Sequence, residues 1–273
     1  MTDIIGLIGT GRVGEPVVRR LLAAGHEVLV YARRDQVRDR LWIHGAALAD
    51  SPAELAAHSD ILISCLSSDS QVHEVGHGPA GIIANAKQGA LLVSHTTGSA
   101  ATLEELATAS AGEVTVLDAP ICGSTEDVAA GGATVLIGGP DNAIERAKPV
   151  LAAYGRPIIP TGGLGTALHL KLINDLLFAA NAQLVAAAAE LAEKLSVAPP
   201  ALLNALTVCS GGSAAAAHAL VTGGVDAFAS IAQPSLRKDV AAFMHTARQV
   251  GADPGPLETI VRTGPLDLMP RHS

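Results

Sequence analysis

The sequence lacks an excess of positive charge. Its 273 residues include 18 Lys and Arg against 26 Asp and Glu, which gives a formal net charge of −8. The one basic cluster is formed by Arg33, Arg34, Arg38 and Arg40. A nucleic-acid-binding protein needs a basic face that neutralises phosphates, so we predict no nucleic-acid partner.

Long hydrophobic runs and a basic leader are also missing. Although 49% of the residues are hydrophobic, polar residues interrupt the apolar runs before the roughly 20 positions that a membrane-spanning helix needs. The first residues, MTDIIGLIG, carry Asp3 and continue directly into a glycine-rich turn. This indicates a strand and not a signal peptide. We expect a cytoplasmic protein with no membrane partner.

Cysteine is scarce. Cys65, Cys122 and Cys209 are far apart and outside any CxxC pattern, which favours reduced thiols and argues against a disulfide framework. Charged residues make up only 16% of the chain. We therefore expect an apolar surface to be buried against further copies, in a homodimer or homotetramer.

The first half of the chain alternates short apolar runs with segments of helical spacing. The apolar runs are IIGLIG (4–9), EVLVYA (27–32), DILISCL (60–66), GALLVSH (89–95), VTVLDAP (114–120) and ATVLIGG (133–139). The helical spacing covers 14–24, 52–58, 101–110 and 141–152. This alternation predicts βαβ units in a largely parallel, doubly wound sheet.

From about Gly162 the strand pattern stops, and the chain becomes helical at 165–195, 199–208, 213–221 and 234–250. The sequence therefore predicts an α/β fold with two domains. A Rossmann-type dinucleotide-binding domain covers 1–161, and an all-α domain for substrate binding and oligomerisation covers 162–273, joined through a long helix.

The turn GTGRVG, which consists of Gly9, Thr10, Gly11, Arg12, Val13 and Gly14, lies between the first strand and the first helix. Gly9 permits the tight turn, Gly11 lets the backbone approach a pyrophosphate, and Gly14 allows close helix packing. The helix N-terminus attracts phosphate. These residues predict dinucleotide binding.

The second strand ends in VLVYARR. Ala32 stands where an NAD-dependent enzyme usually has Asp or Glu for the ribose 2′-hydroxyl. Arg33 and Arg34 follow, and guanidinium groups suit a 2′-phosphate. We predict NADP(H) in preference to NAD(H), with a solvated basic loop as the alternative interpretation.

The stretch HEVGH, residues 73–77, matches the HExxH pattern of zinc proteases. Gly76 and the following GPAG disrupt the helix that this pattern requires, and the sequence offers no third ligand at a familiar spacing. We predict no metal here.

Two further stretches end predicted strands, where doubly wound sheets bind ligands. DAPICGS contains Cys122, Gly123 and Ser124, which form either a ligand contact or a turn. SHTTG contains Thr96 and Thr97, which either contact a ribose or cap the structure locally.

Two helical segments carry polar groups. In HLKLINDLL, residues 169–177, Lys171, Asn174 and Asp175 share one face of a helix that is apolar nearly all round and is expected to be buried. Either Asp175 neutralises Lys171 or this face lines a site. In LRKDV, residues 236–240, Lys238 and Asp239 are interpreted first as a surface salt bridge.

Between Ile4 and Leu257 the chain resembles the β-hydroxyacid dehydrogenase family, which includes 3-hydroxyisobutyrate dehydrogenase, tartronate semialdehyde reductase and 6-phosphogluconate dehydrogenase. The resemblance rests on GLIGTGRVGEPVVRRLLAAGHEVLVYARR, DAPICGS, GLGTALHLKLIND and LRKDV, in that order. It implies that Lys171 is the catalytic acid/base and that Asn174 holds the lysine or the substrate. It further implies that Leu66, Ser67, Thr97, Lys238 and Arg33 contact the cofactor.

The chain departs from this family at the groups expected to bind a substrate carboxylate. Cys122, Gly123 and Ser124 replace Ser-Gly-Gly, and Asp175 replaces a second Asn. An ionised Asp175 would repel a carboxylate, which favours a neutral or cationic substrate. Imine reductases with this scaffold generally lack the lysine, so Lys171 favours carbonyl chemistry. An imine reductase and a catalytically silent dinucleotide-binding protein remain the alternatives.

Overall fold

The computed structural model describes residues 3–269. The chain divides into two compact units, Met1–Lys171 and Leu172–Ser273. The division falls within one long helix.

The first unit contains a nine-stranded sheet. Its strands are β1 (Ile5–Ile8), β2 (Val28–Tyr31), β3 (Ala47–Leu48), β4 (Ile61–Ser64), β5 (Ala90–Ser94), β6 (Val114–Asp118), β7 (Ile121–Cys122), β8 (Ala133–Gly138) and β9 (Gly155–Gly162). Its helices are α1 (Gly14–Ala23), α2 (Asp35–Ile43), α3 (Pro52–His58), α4 (Asp69–Gly76), α5 (Ile82–Asn85), α6 (Ala100–Ala109), α7 (Thr125–Ala130) and α8 (Asp141–Leu151).

All six strands predicted from apolar runs are present, and β3, β7 and β9 are additional. The two-residue strands β3 and β7 are too short to produce a pattern. β9 has the sequence GRPIIPTG and is mostly exposed. It was not predicted as a strand, because its two prolines and its exposed residues break the apolar pattern of a strand. Cys122 therefore lies in a strand and not in a turn.

The strand order is β3-β2-β1-β4-β5-β6-β8-β7, with β9 also paired with β8. The pairs from β3 to β6 are parallel, whereas β8 is antiparallel to β6 and β7. The predicted doubly wound sheet is thus confirmed. The strand order reverses between β1 and β4, which is where ligands bind in such sheets.

The second unit is helical. The long helix α9 (Thr166–Lys194) begins in the first unit, and α10 (Pro199–Leu206), α11 (Ala214–Thr222), α12 (Val225–Val250) and α13 (Pro256–Thr263) follow. α12 begins nine residues before Pro234, where the sequence pattern placed its start, and α13 was not predicted. The buried Gln183 amide donates to the carbonyl oxygens of Val261 and Leu266, at 2.8 and 2.7 Å, and so connects α13 and the residues after it to α9.

The expectation that α9 is buried all round is wrong. Its exposed apolar side chains follow a spacing of three, four and seven residues: Leu170, Ile173, Leu177, Leu184 and Leu191. α9 is long and apolar enough to cross a membrane by length and composition, as is the bent pair of α11 and α12, but 56% of the apolar window of α9 is buried. Core helices of soluble proteins have this character.

Candidate cofactor cleft and the polar groups of the long helix

The glycine-rich turn follows β1 and leads into α1. Gly9 has a φ of +96°, and a Cβ atom there would lie 2.4 Å from the carbonyl oxygen of Cys65 after β4. A Cβ atom at Gly14 would lie 2.0 Å from the carbonyl oxygen of Gly9. Both glycines are therefore required for the turn to pack closely against the sheet.

Gly11 differs from its two neighbours in the motif. Apart from Gly11 and its two chain neighbours, no described atom lies within 4 Å of the position that its Cβ would take, and its φ is not in the left-handed region. The N-cap of α1, Val13, has an apolar side chain, so in the described part of the chain no side chain caps this helix. The Glu15 N–H donates to the Gly11 carbonyl oxygen at 3.1 Å, so the N-terminus of α1 begins directly at the turn that Gly11 keeps open, and a helix N-terminus attracts anions.

A cavity of about 590 Å³ lies at the reversal point of the sheet. The predicted cofactor contacts that line it are Gly9, Thr10, Gly11, Arg33, Arg34, Leu66 and Ser67. The cavity has the size of a typical cofactor site, and these residues fit a dinucleotide. Sequence reasoning missed the wall that α4 contributes through Gln71, Glu74, Val75 and His77, because α4 was not predicted as a helix.

Arg33 and Arg34 are both exposed at one end of this cleft. Among residues 3–269, neither guanidinium group forms an ion pair or a hydrogen bond with a protein side chain. The other two members of the basic cluster are occupied, since Arg38 pairs with Asp50 and Arg40 with Glu15. Arg38 and Arg40 therefore have structural roles, whereas Arg33 and Arg34 are available to bind an anion.

A second cavity, of about 530 Å³, adjoins the first across Thr10, Gly11 and Arg34. Arg12, the remaining arginine of the turn, lines it. Val13 and Gly14 line neither cavity and act through the geometry of the turn.

The two threonines of SHTTG differ in exposure. Thr96 is buried, and its hydroxyl accepts a 3.3 Å hydrogen bond from the backbone N–H of Leu66. Thr97 is exposed. Neither lines the cleft, so Thr96 supports the cleft by positioning Leu66.

Cys65 lines the cleft after β4, and the buried His95 follows β5. Burial raises the pKa of the Cys65 thiol to about 12, so Cys65 is a packing residue that stays protonated. Burial lowers the pKa of His95 to about 4. The His95 imidazole donates to the Ala119 carbonyl oxygen and accepts a 2.8 Å hydrogen bond from the Tyr154 hydroxyl.

The DAPICGS stretch begins with the buried Asp118 at the end of β6. Cys122 follows in β7, Gly123 has a φ of +141°, and Ser124 is the N-cap of α7. The Ser124 hydroxyl accepts from the Asp127 backbone N–H at 3.1 Å, and Asp127 accepts from the Ser124 N–H at 2.7 Å. Ser124 thus has a structural role as a helix cap.

Asp118 also fixes the start of α9. Its carboxylate accepts backbone hydrogen bonds of 2.8 Å from Gly165 and from Leu168. Lys171 follows one turn later and is partly buried. Sequence reasoning missed Asp118, although its place at a strand end was a signal for a functional or capping carboxylate.

The polar face predicted on α9 is present. The exposed Asn174 donates a 3.1 Å hydrogen bond to the carboxylate of Asp175, which is only 7% exposed. Lys238 is exposed on α12, and its neighbour Asp239 is partly buried.

Comparisons with known proteins agree with this architecture. Residues 4–163 match the family model of the NAD binding domain of 6-phosphogluconate dehydrogenase. An uncharacterized oxidoreductase of Bacillus subtilis is 32% identical over 214 residues, covering 78% of this chain and 74% of that protein. The 3-hydroxyisobutyrate dehydrogenase of Pseudomonas aeruginosa is also 32% identical over 214 residues, covering 78% of this chain and 72% of the relative.

A solved structure extends the similarity to the helical unit. The 3-hydroxyisobutyrate dehydrogenase of Mycobacterium tuberculosis, studied with L-serine, matches with a TM-score of 0.86 and 25% identity. The match covers 96% of this chain and 92% of that one.

Proposed function

The chain belongs to the β-hydroxyacid dehydrogenase family and is an NAD(P)-dependent oxidoreductase, and we propose that it interconverts a small, semialdehyde-like carbonyl compound and its alcohol. The observation that carries the proposal is that the chain has both an open glycine turn and a lysine at a fixed helix start. Lys171 lies one turn beyond Leu168, whose backbone N–H donates to the carboxylate of Asp118. The first feature suits a dinucleotide, and the second offers a positioned proton donor.

We assign NADP(H) as the preferred cofactor. Arg33 and Arg34 are the basis, because both line the cleft and neither is engaged by another side chain among residues 3–269. Guanidinium groups bind a 2′-phosphate with charge-assisted hydrogen bonds. Lys238 is assigned as a further cofactor contact by its match to the family motif.

Lys171 acts as the general acid in reduction. The nicotinamide, when bound, supplies the hydride in reduction and accepts it in oxidation. The Lys171 ammonium donates its proton to the carbonyl oxygen as this becomes a hydroxyl, and the amine takes that proton back in the reverse direction. Asn174 orients the lysine or the substrate, and its hydrogen bond to Asp175 fixes its own amide.

We assign substrate binding to Cys122, Gly123, Ser124 and Asp175. A buried carboxylate at Asp175 favours a neutral or cationic compound over one with a carboxylate, because like charges repel. This observation supports a second candidate function, the reduction of imines. Rates with a cyclic imine and with a small hydroxy acid, measured under the same conditions, distinguish the two.

We also propose that the protein is a cytoplasmic homodimer or homotetramer. The apolar side chains of Ile173, Leu177, Leu184 and Leu191 along α9 are each about half exposed. Such a stripe is unusual on a monomer. A monomeric mass of the purified protein in light scattering would contradict this assembly, and a Leu184→Glu variant is expected to dissociate it.

The decisive experiment replaces Lys171 by Ala. The variant is expected to lose at least about a hundredfold in turnover, which is the contribution of one general acid, while it binds NADPH as tightly as the wild type. A Lys194→Ala variant, changed at the far end of the same helix, serves as the control. Undiminished turnover of Lys171→Ala would disprove the mechanism.

A further inference from the structure

We propose that His73, His77 and Glu105 bind a divalent transition-metal ion of the Zn²⁺ type on the first unit. The ligand atoms of the three side chains all lie within 4.8 Å of one another. His73 and His77 belong to α4 and its C-cap, and Glu105 belongs to α6. The sequence pattern predicted no metal at HEVGH, because Gly76 interrupts the helical pattern and no third ligand follows at a familiar spacing; Glu105 lies on a different helix.

The helical geometry of HEVGH survives the glycine within it. α4 ends at Gly76, but the His77 backbone N–H still donates a 3.1 Å hydrogen bond to the carbonyl oxygen of His73. This bond is an ordinary helical one between residues i and i+4. It keeps the two imidazole rings on one face, with their centroids 4.4 Å apart.

Gly76 also determines the approach of Glu105. A Cβ atom at Gly76 would lie 2.5 Å from the side chain of Leu106, so the absent side chain lets α6 pack directly against α4. Glu105 precedes the fully buried Leu106 on α6. Gly76, which interrupts the HExxH pattern in the sequence, therefore allows Glu105 to approach the two histidines.

The His77 ring offers an independent indication of a ligand. Its Nε2 atom is buried and has no hydrogen-bond partner among residues 3–269. A buried imidazole nitrogen without a partner is costly. Coordination of a cation by the imidazole of His77 would offset such a cost.

The donor set selects the ion. Two imidazole nitrogens and one carboxylate oxygen suit Zn²⁺ and its transition-metal neighbours, whereas Mg²⁺ and Ca²⁺ prefer oxygen ligands throughout. Ligands at about 2.1 Å from a tetrahedral ion lie roughly 3.4 Å from one another, so small rotations of the exposed His73 and Glu105 side chains complete the site, with water as a fourth ligand. His77 and Glu74 both line the cofactor cleft, but the third ligand is Glu105 of α6 and not the Glu74 of the HEVGH stretch, which distinguishes this site from a zinc protease centre.

The test is a calorimetric titration of ZnCl₂ into the tag-free full chain, after metal has been removed with a chelator. The wild type is expected to bind one ion. The variants His73→Gln, His77→Gln and Glu105→Gln are each expected to bind it at least about tenfold more weakly. Zn²⁺, unlike Mg²⁺, is expected to raise the melting temperature of the wild type, because an ion that binds only the folded state stabilises it.

Matched controls identify the ligands. His44→Gln and Glu104→Gln remove an exposed imidazole and the neighbouring carboxylate, and both are expected to bind Zn²⁺ like the wild type. Cys209→Ser tests the exposed thiol. The proposal is overturned if the three cluster variants retain wild-type affinity, or if Cys209→Ser abolishes binding.

Discussion

The carboxylate of Asp118, at the end of β6, accepts a 2.8 Å hydrogen bond from the backbone N–H of Leu168 in the first turn of α9. A second bond of 2.8 Å comes from Gly165. Together they satisfy N–H groups that a helix start leaves without partners. The helix that carries Lys171 is thus anchored on the sheet by a fully buried side chain.

We expect Asp118→Asn to destabilise the protein and to lower its turnover. An amide has only one acceptor oxygen, so at least one N–H is left buried and unpaired. The expected loss is about 1.5 to 3 kcal/mol of unfolding free energy, as for hydrogen bonds to a charged group. Urea unfolding measures it, with the exposed Asp226→Asn as the control; equal stability of Asp118→Asn and the control would refute this account of the anchor.

The basic end of the cleft predicts the cofactor preference. The double variant Arg33→Ala/Arg34→Ala is expected to lose about 10- to 100-fold in affinity for NADPH and little for NADH, because only NADPH carries the 2′-phosphate. Fluorescence titration with both nucleotides measures this. The double variant Lys194→Ala/Arg248→Ala, which removes two exposed positive charges elsewhere, controls for the change in net charge, and an Arg33→Ala/Arg34→Ala variant that retains the preference for NADPH would contradict the assignment.

The second and third glycines of the motif are expected to respond differently to alanine. Gly14→Ala places a methyl group 2.0 Å from the Gly9 carbonyl oxygen, so the turn must move and the protein loses stability. Gly11→Ala meets no described atom within 4 Å and is expected to keep the melting temperature of the wild type while it weakens nucleotide binding. If Gly11→Ala binds both nucleotides normally, the open space at this position is not the pyrophosphate site.

The buried His95 makes stability dependent on pH. Its pKa is lowered by burial from 6.5 to about 4, so between these values the unfolded chain binds one more proton than the folded one. Stability therefore falls as the pH drops from 6.5 towards 4, by roughly 3 kcal/mol at about 1.4 kcal/mol per pKa unit. Above pH 6.5 His95 is neutral in both the folded and the unfolded chain, so the stability no longer depends on its titration.

Urea unfolding at a series of pH values checks this dependence. His95→Gln is expected to flatten the pH dependence in that window, even if its stability is lower throughout, whereas the exposed His58→Gln retains it. An unchanged slope in His95→Gln would assign the acid sensitivity to other groups.

Local patterns made much of the fold predictable. Short apolar runs such as IIGLIG and DILISCL match β1 and β4, because strands buried on both faces leave a continuous apolar signal. GTGRVG predicted the turn for a similar reason, since the steric demands on Gly9 and Gly14 arise within a few residues and between neighbouring strands. The glycine spacing itself therefore specifies the cofactor turn.

Tertiary structure decided which distant residues meet. The carboxylate of Asp118 accepts a hydrogen bond from Leu168, fifty residues later in the chain, and the Thr96 hydroxyl accepts one from Leu66. Glu105 lies beside His73 and His77 because α6 packs on α4. None of these pairs follows from a sequence period, because each depends on which surfaces pack together. Sequence by itself determined the six apolar strands and the cofactor turn, because both leave a local pattern, while only packing decided which arginines stay available to a ligand and which side chains of α9 remain exposed.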